Sequence, residues 1–144
     1  MKLVGKIMHP CSVFRLGAIL IAFGAGNVSA ESARIGVSIM IGGEEDLDAC
    51  SNGEVTGLDP SGDGFLSVRS GPGARPYREI DRLSNGNEVY LCGSRGRWYA
   101  IVYHQSRKHH ESCGVSTPWH KRRAYSGPCR YGWVHSQFIK VTAG

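Results

Sequence analysis

Short runs of hydrophobic and polar residues alternate between residues 54 and 139, a pattern typical of β-strands. The strongest run is 97–103 (RWYAIVY), which is rich in aromatic and β-branched residues. No run after Ala30 has the length and period of a helix, apart from a candidate single turn at 136–138. The pattern therefore predicts an all-β chain, with further strands at 54–58, 65–69, 80–83, 88–92 and, last along the chain, 131–135.

Turn signals separate these runs. They are DPSGDG at 59–64, Gly-Pro-Gly at 71–73 and an Asn-Gly hairpin signal at 85–86. In the 65–69 run, Leu66 and Val68 are predicted to face the core; in the 88–92 run, the residues at 89 and 91 share one face. Five to seven short strands of this kind predict a small, partly open barrel.

The first thirty residues have the pattern of an export signal. Lys2, Lys6 and Arg15 are basic, residues 16–26 are apolar, and 28–30 (VSA) supply the small residues that signal peptidase requires. An apolar run of about eleven residues is too short for a bilayer core of about 30 Å. We therefore expect a periplasmic or secreted chain of residues 31–144 without a membrane span, with an uncleaved anchor as the alternative.

Removal of the signal changes the charge of the protein. The full chain has 17 Lys and Arg and 12 Asp and Glu, and three of the basic residues precede Ala30. The 14 that remain leave a net charge of +2, which is too small to favour nucleic acid. Residues 31–64 carry −7 (eight acids against one base), whereas 65–144 carry +9 (thirteen bases against four acids). Either the acidic segment solvates or folds across a basic domain, or a basic face binds an anionic partner.

The sequence divides into an acidic lead-in segment, 31–52, and a folded domain, 53–144. The apolar residues at 35, 37, 39 and 41 of the lead-in alternate as in an edge strand. A flexible start to the chain fits this segment equally well.

Four cysteines follow the signal, and an even number favours disulfides in a short exported chain. They allow three connectivities. We favour Cys50–Cys92, because the strand after Cys50 can lie beside the strand that holds Cys92. Cys113–Cys129 would then close a loop and stabilise the fold by about 3 kcal/mol.

Three motifs of this chain resemble the bacterial SH3 family. Residues 69–73 (RSGPG) match the segment that opens its domains, 132–134 (GWV) match the segment that closes them, and 98–99 (WY) match its middle strand. The resemblance covers about residues 64–141. It implies an SH3-like, partly open barrel with a binding role and a shallow, aromatic-lined ligand groove beside the loop after the first strand.

The chain departs from that family at an insertion, residues 104–130, where the resemblance implies a tight turn. The insertion holds four histidines, two aromatic residues and six Lys or Arg against Glu111 alone. Long loops are usually functional or disordered, and the bracketing cysteines argue against disorder. We interpret the insertion as a disulfide-stapled cationic loop for recognition, with a decoration that has no partner as the alternative. Protonation of its histidines below pH ~6.5 would tighten binding to an anion.

Reactive chemistry is not predicted. The histidines and cysteines of the insertion are zinc-binding residue types, but their spacing follows no standard pattern and oxidised cysteines cannot bind a metal. A cysteine nucleophile needs a free thiolate and a positioned base. The sequence has no nucleophile elbow and no phosphate-binding loop. We therefore expect no enzyme activity, no catalytic residue, no metal and no cofactor.

The predicted ligand contacts are aromatic and basic side chains. Tyr99, Tyr103 and Trp133 are interpreted as packing residues, whereas other Tyr and Trp rings can stack on peptide backbones or sugar faces. The candidate ligand-binding residues are Tyr77, Trp98, Trp119, Arg122, Arg123, Tyr125 and Tyr131.

Compartment and fold together predict a function. The chain is expected to be an exported binding module that contacts a peptidoglycan peptide or another anionic component of the cell envelope. The alternative is a small exported protein–protein interaction factor, such as an inhibitor or immunity-type protein, that acts through 104–130.

Overall fold

The computed structural model describes residues 36–143. The predicted signal peptide and its cleavage site therefore lie outside the described residues. Among residues 36–143, no helix is long and apolar enough to span a membrane. The described elements are nine strands and two single 3₁₀ turns: β1 (Met40–Ile41), β2 (Ser51–Val55), β3 (Leu66–Arg69), β4 (Glu79–Leu83), β5 (Glu88–Arg95), β6 (Trp98–Tyr103), a turn at Glu111–Cys113, β7 (Arg123–Ala124), β8 (Arg130–His135), a turn at Ser136–Phe138 and β9 (Ile139–Ala143).

Seven strands form one antiparallel sheet in the order β4-β3-β8-β6-β5-β2-β9, and β1 pairs with β7 in a separate two-stranded sheet. The large sheet does not close on itself, since β4 and β9 are its two outer strands. The prediction of an all-β, partly open fold is confirmed.

Most strand positions follow the sequence pattern, but β5 continues to Arg95, three residues past its predicted end, and β7 was not predicted. Two further differences concern the first and the last strands of the large sheet. The first predicted strand begins and ends earlier, because Gly57 takes a positive φ (75°) and turns the chain away after Val55. A further strand, β9, follows the one predicted to be last, and it pairs with β2. The helical turn at Ser136–Phe138 is present, and Leu66 and Val68 are buried as expected.

The central strands of the large sheet are buried on both faces, so they contribute to two separate cores. Along β6, Ile101 and Tyr103 belong to one core and Ala100 and Val102 to the other, as strand alternation requires. The inner core consists of Val55, Leu58, Leu66, Val68, Leu83, Val89, Leu91, Ile101, Tyr103 and Val134. The outer core consists of Ile39, Ile41, Cys50, Tyr90, Ala100, Val102, Cys113, Val115, Tyr125, Cys129 and Trp133.

Both predicted disulfides are present. Cys50–Cys92 joins the start of β2 to β5, and these strands are paired neighbours in the sheet. Cys113–Cys129 joins the two halves of the insertion across 16 residues. Both bonds border the outer core, because Cys50, Cys113 and Cys129 are buried in it.

Candidate functional site

The lead-in and the insertion form one layer over the outer face of the large sheet. Besides the β1–β7 pairing, Tyr125 N–H donates to the Ile39 carbonyl (2.8 Å) and Gly43 N–H donates to the Trp119 carbonyl (2.7 Å). Cys50 N–H donates to the Val115 carbonyl (3.1 Å). Backbone bonds at Ile39, Gly43 and Cys50 thus hold the described part of the lead-in, 36–52, against the insertion, and this acidic segment does fold across the basic one.

The start of the insertion is fixed by side chains of β5. The Glu88 carboxylate accepts from the His109 backbone N–H (2.7 Å) and from Lys108 Nζ (3.2 Å). The bond from His109 is the main reason that the pKa of Glu88 is lowered. The Tyr90 hydroxyl accepts from the His110 backbone N–H (2.9 Å). Two residues of one strand therefore anchor three consecutive residues of the insertion.

Both ends of the insertion meet at Asp81 of β4. Its carboxylate accepts from Arg107 (3.0 Å), from Arg130 (2.9 Å) and from the Tyr103 hydroxyl (2.9 Å). Partial burial alone would raise the pKa of Asp81, but these bonds and the Arg82 backbone N–H lower that pKa to about 2. Burial and the nearby carboxylate raise the pKa of Tyr103. Asp81 therefore stays ionised and ties both ends of the insertion to the sheet.

A cationic ridge, which we define as Lys121, Arg122 and Arg123 with the Trp119 ring, stands on this layer. All three basic side chains are exposed, and none forms an ion pair within residues 36–143. The Arg123 guanidinium lies 4.3 Å from the centre of the Trp119 ring. The Trp119 indole N–H donates to the Gly114 carbonyl (2.7 Å), so the ring is held in place. The ridge therefore contains the Lys and Arg residues of the insertion that form no ion pair with a described carboxylate.

An acidic run, Glu44, Glu45, Asp46 and Asp48, borders the ridge. All four carboxylates are exposed and lie between the two ends of the lead-in that bond to the insertion. A Cβ on Gly43 would lie 3.4 Å from the Arg122 Cβ, so the run starts beside the ridge. No ion pair joins these acids to the ridge in the described part of the chain.

A concave surface, which we call the aromatic groove, lies beside Leu58 and Leu66 of the inner core. Its volume is about 450 Å³, and four rings line it: Phe65, Trp98, His135 and Phe138. The Trp98 and His135 rings meet edge to face with their centres 5.5 Å apart. Asp59 and Asp63 stand on the loop that forms one wall, and hydrogen bonds from the Ser61 side chain and backbone lower the pKa of Asp59.

The structure divides the predicted ligand-binding residues among separate places. Trp119, Arg122 and Arg123 lie together on the ridge, whereas Trp98 lies in the aromatic groove. Tyr131 is 44% exposed and lines a shallow depression with Ile80. Tyr77 packs across the loop after β3, where a Cβ on Gly71 would overlap its ring. The seven residues therefore do not form one surface.

Tyr125 is a packing residue rather than the surface residue that a ligand contact requires. Its side chain is only 5% exposed. Its hydroxyl donates to the Cys113 carbonyl (3.0 Å) and accepts from the Cys129 backbone N–H (3.1 Å). From the sequence, an aromatic residue in a basic loop is expected to be accessible. In the structure, part of this loop is buried in the outer core. Tyr103 and Trp133 are buried, as expected of packing residues.

Sequence reasoning missed Asp81 and three rings of the groove. Phe65 lies 70 residues or more before His135 and Phe138, so only the folded sheet brings these rings together. Asp81 carried one signal, since it is among only four acidic residues within the basic stretch 65–144. In residues 36–143, no group of three or more His, Cys, Asp or Glu side chains is arranged to hold a metal ion.

Comparison with protein-family models, with curated proteins and with solved structures found no match to this chain. The resemblance to the bacterial SH3 family therefore remains a prediction from three short motifs.

Proposed function

We propose that this chain is a non-enzymatic binding module of the cell envelope, which contacts an anionic component such as the carboxylate-bearing peptides of peptidoglycan. The contact surface is the cationic ridge. The observation that carries the proposal is that Lys121, Arg122 and Arg123 are exposed and consecutive, and that no described carboxylate pairs with them.

Charge pairing separates these residues from the other basic residues of the insertion. Arg107 and Arg130 bind Asp81, and Lys108 binds Glu88. The charges of those three side chains are paired within the fold, whereas the charges of the ridge are available to a partner. Exposed cations of this kind attract an anionic polymer and lose that attraction as salt increases.

The support beneath the ridge favours recognition over a solvated, mobile loop. Trp119 is fixed by its bond to the Gly114 carbonyl, and Arg123 is paired through the backbone to Ile41. Ile41 is buried in the outer core, only 1% exposed. A surface that is ordered before binding loses less conformational entropy when a ligand arrives.

Sedimentation with purified cell-wall sacculi tests the proposal. We expect retention of the wild-type chain that falls with added salt, and about tenfold weaker retention for Arg122→Gln/Arg123→Gln. Arg75→Gln/Arg78→Gln is the matched control, since it removes the same charge from two exposed residues that form no ion pair within 36–143. Equal losses in the two double variants would mean that net charge alone drives retention and that the ridge is not the site.

A protein partner is the second candidate, and the surroundings of the ridge favour it to a lesser degree. Met40, 38% exposed, lies on β1 beside the ridge, and the acidic run adds carboxylates that would repel an anionic polymer. A mixed surface of this kind suits an exported protein. Absence of retention on sacculi, together with a stoichiometric protein captured only by a chain with an intact ridge, would replace the wall proposal with this one.

A further inference from the structure

We propose that the aromatic groove is a second binding site and that it takes a neutral saccharide. Leu58 and Leu66 of the inner core line this groove, whereas Trp119 of the ridge packs on the outer core. The two sites share no residue, although Trp98 of the groove also packs against the outer core. Failure of either site in an experiment therefore leaves the other unaffected.

The charge of the groove disfavours an anionic ligand. Asp59 and Asp63 line it, against Arg69 as the basic residue among its lining side chains. The Arg69 guanidinium already donates to the carbonyl oxygens of Ala74 (3.1 Å) and Tyr77 (3.2 Å). A ligand rich in carboxylates would meet two negative charges and a cation that is already engaged, so a neutral ligand fits better.

The rings and the polar groups together match a sugar. Aromatic rings offer flat apolar area with little loss of entropy, which suits the C–H faces of a pyranose. The Trp98 indole N–H, the Asp63 carboxylate and the side-chain amide of Gln137 make no hydrogen bond within residues 36–143. Since His135 Nδ1 accepts from the Gln137 backbone N–H (3.3 Å), its neutral ring carries the proton on Nε2 as a further donor. A few directional polar groups beside apolar walls are the usual composition of a ligand site.

The strands beside the groove disfavour an extended peptide. Peptides commonly bind by adding a strand to a free sheet edge. The groove borders β3 and β6: β6 is paired along its length with β5 and β8, whereas β3 is paired along its length with β4 but with β8 at Arg69 only. The outer strands β4 and β9 contribute no lining residue to it. A peptide would therefore find only the short part of β3 before Arg69 that is not paired with β8.

The wall of the groove is held in shape without a ligand. The Asn85 side chain accepts from the Leu58 backbone N–H (3.0 Å) and donates to the Leu58 carbonyl (2.9 Å). Thr56 N–H, next to the lining residue Gly57, donates to the carbonyl of Phe138, which also lines the groove (2.9 Å). The Asp59 carboxylate accepts from the Ser61 backbone N–H (2.8 Å) and closes the turn. A preformed wall lowers the entropic cost of binding a small ligand.

Titration of the ¹⁵N-labelled chain with chitotriose, a neutral oligomer of N-acetylglucosamine, tests the proposal by NMR. The three indole N–H signals serve as reporters within one molecule. We expect a saturable shift of the Trp98 signal with little change at Trp119, which lies on the ridge, or at Trp133, which donates to the Val37 carbonyl (3.0 Å). Added salt should leave the affinity unchanged, because the ligand is neutral. An unmoved Trp98 signal at saturating sugar would overturn the proposal, as would a shift produced by triglycine alone.

Two groove variants and one ridge variant locate the site. Trp98→Ala is expected to weaken chitotriose about tenfold and Asp63→Ala ~fivefold, whereas Trp119→Ala should bind like the wild type. Asp63 is exposed and forms no described contact, so its replacement should not disturb folding even if Trp98→Ala does. Unchanged affinity in the Asp63 variant, together with loss in the Trp119 variant, would move the sugar to the ridge. Retention on sacculi that survives both groove variants would leave the ridge proposal intact.

Discussion

The two cores of this protein share one sheet but differ in where their residues come from. The inner core is built almost entirely from the strands of the sheet itself, within residues 55–134. The outer core takes only part of its residues from those strands, and the lead-in and the insertion supply the rest. The inner core resembles that of any small β-domain, whereas the outer core exists because two added segments bury each other. The added segments are therefore part of the fold, and they hold the exposed cations in a fixed place.

Truncation of one buried isoleucine in each core compares the two cores directly. Ile101 is fully buried in the inner core, and Ile39 is 1% exposed in the outer one. We expect Ile101→Ala to lower the free energy of unfolding by about 4 kcal/mol and Ile39→Ala by about 3 kcal/mol, because cavities form in both. Urea denaturation measures both values. A loss below ~1 kcal/mol for Ile39→Ala would mean that the outer core is loosely packed and contributes little to stability.

Replacement of Asp81 tests how the insertion is tied to the sheet. Asp81→Asn should cost about 3 kcal/mol, since it leaves Arg107 and Arg130 without their carboxylate partner. The pKa of Asp81 is about 2 in the folded protein, below its ordinary value of 3.8. Its contribution to stability is therefore complete above about pH 4 and is lost as the pH falls through about 2.

Urea denaturation from pH 5 down to about pH 2 measures this linkage. The wild type should lose roughly 2 kcal/mol from this group over that interval, and Asp81→Asn should lack that part of the loss. Asp63→Asn is the control, because this exposed carboxylate forms no described contact. Identical pH profiles for wild type and Asp81→Asn would mean that the ionised Asp81 carboxylate does not stabilise the attachment of the insertion to the sheet.

Removal of the disulfide within the insertion separates local from global stability. Cys113→Ser/Cys129→Ser should lower the free energy of unfolding by about 3 kcal/mol, because the bond closes 16 residues. The loss should also weaken the Tyr125 contacts to the Cys113 carbonyl and the Cys129 N–H. Calorimetry checks whether unfolding stays a single transition. A separate low-temperature transition of the insertion would show that the outer core does not fold together with the inner one.

A pair of glycines isolates the contact between the lead-in and the insertion. Gly42 and Gly86 have the same φ of 81°, but a Cβ on Gly42 would lie 2.5 Å from the Trp119 carbonyl oxygen, whereas one on Gly86 would meet nothing within 4 Å. Gly86→Ala should cost about 1 kcal/mol from backbone strain alone, and Gly42→Ala about 2 kcal/mol. The difference in melting temperature between the two variants measures the contact. Equal values would mean that Trp119 and Gly42 do not touch.

Local chemistry was enough to predict the inner half of this molecule. Alternation placed Leu66 and Val68 in the core, and the Asn-Gly pair at 85–86 gave the hairpin between β4 and β5. The prediction of the Cys50–Cys92 bond followed from the expectation that the strand after Cys50 lies beside the strand that holds Cys92, which the pairing of β2 with β5 confirms. These features depend on neighbours in sequence or on pairs of strands, which the pattern of residues specifies.

The outer layer and the sites could be predicted only in part. Tyr125 looked like a surface aromatic because nothing in the sequence indicates that 104–130 packs against residues before Cys50. The ridge was found because three basic residues are consecutive, whereas the groove joins rings from three distant segments. Contacts between segments of unlike composition have no periodic signal, so sequence reasoning could not separate a lead-in that folds from one that stays flexible.

Native-state amide hydrogen exchange tests the central claim most directly. The Tyr125 and Cys50 amides donate across the boundary between the lead-in and the insertion, to the Ile39 and Val115 carbonyls. If these segments form one ordered layer that carries the cationic ridge, both amides should exchange almost as slowly as amides of β6 in the centre of the sheet. Exchange of both amides at the rate of an unprotected chain, while β6 stays protected, would contradict the account.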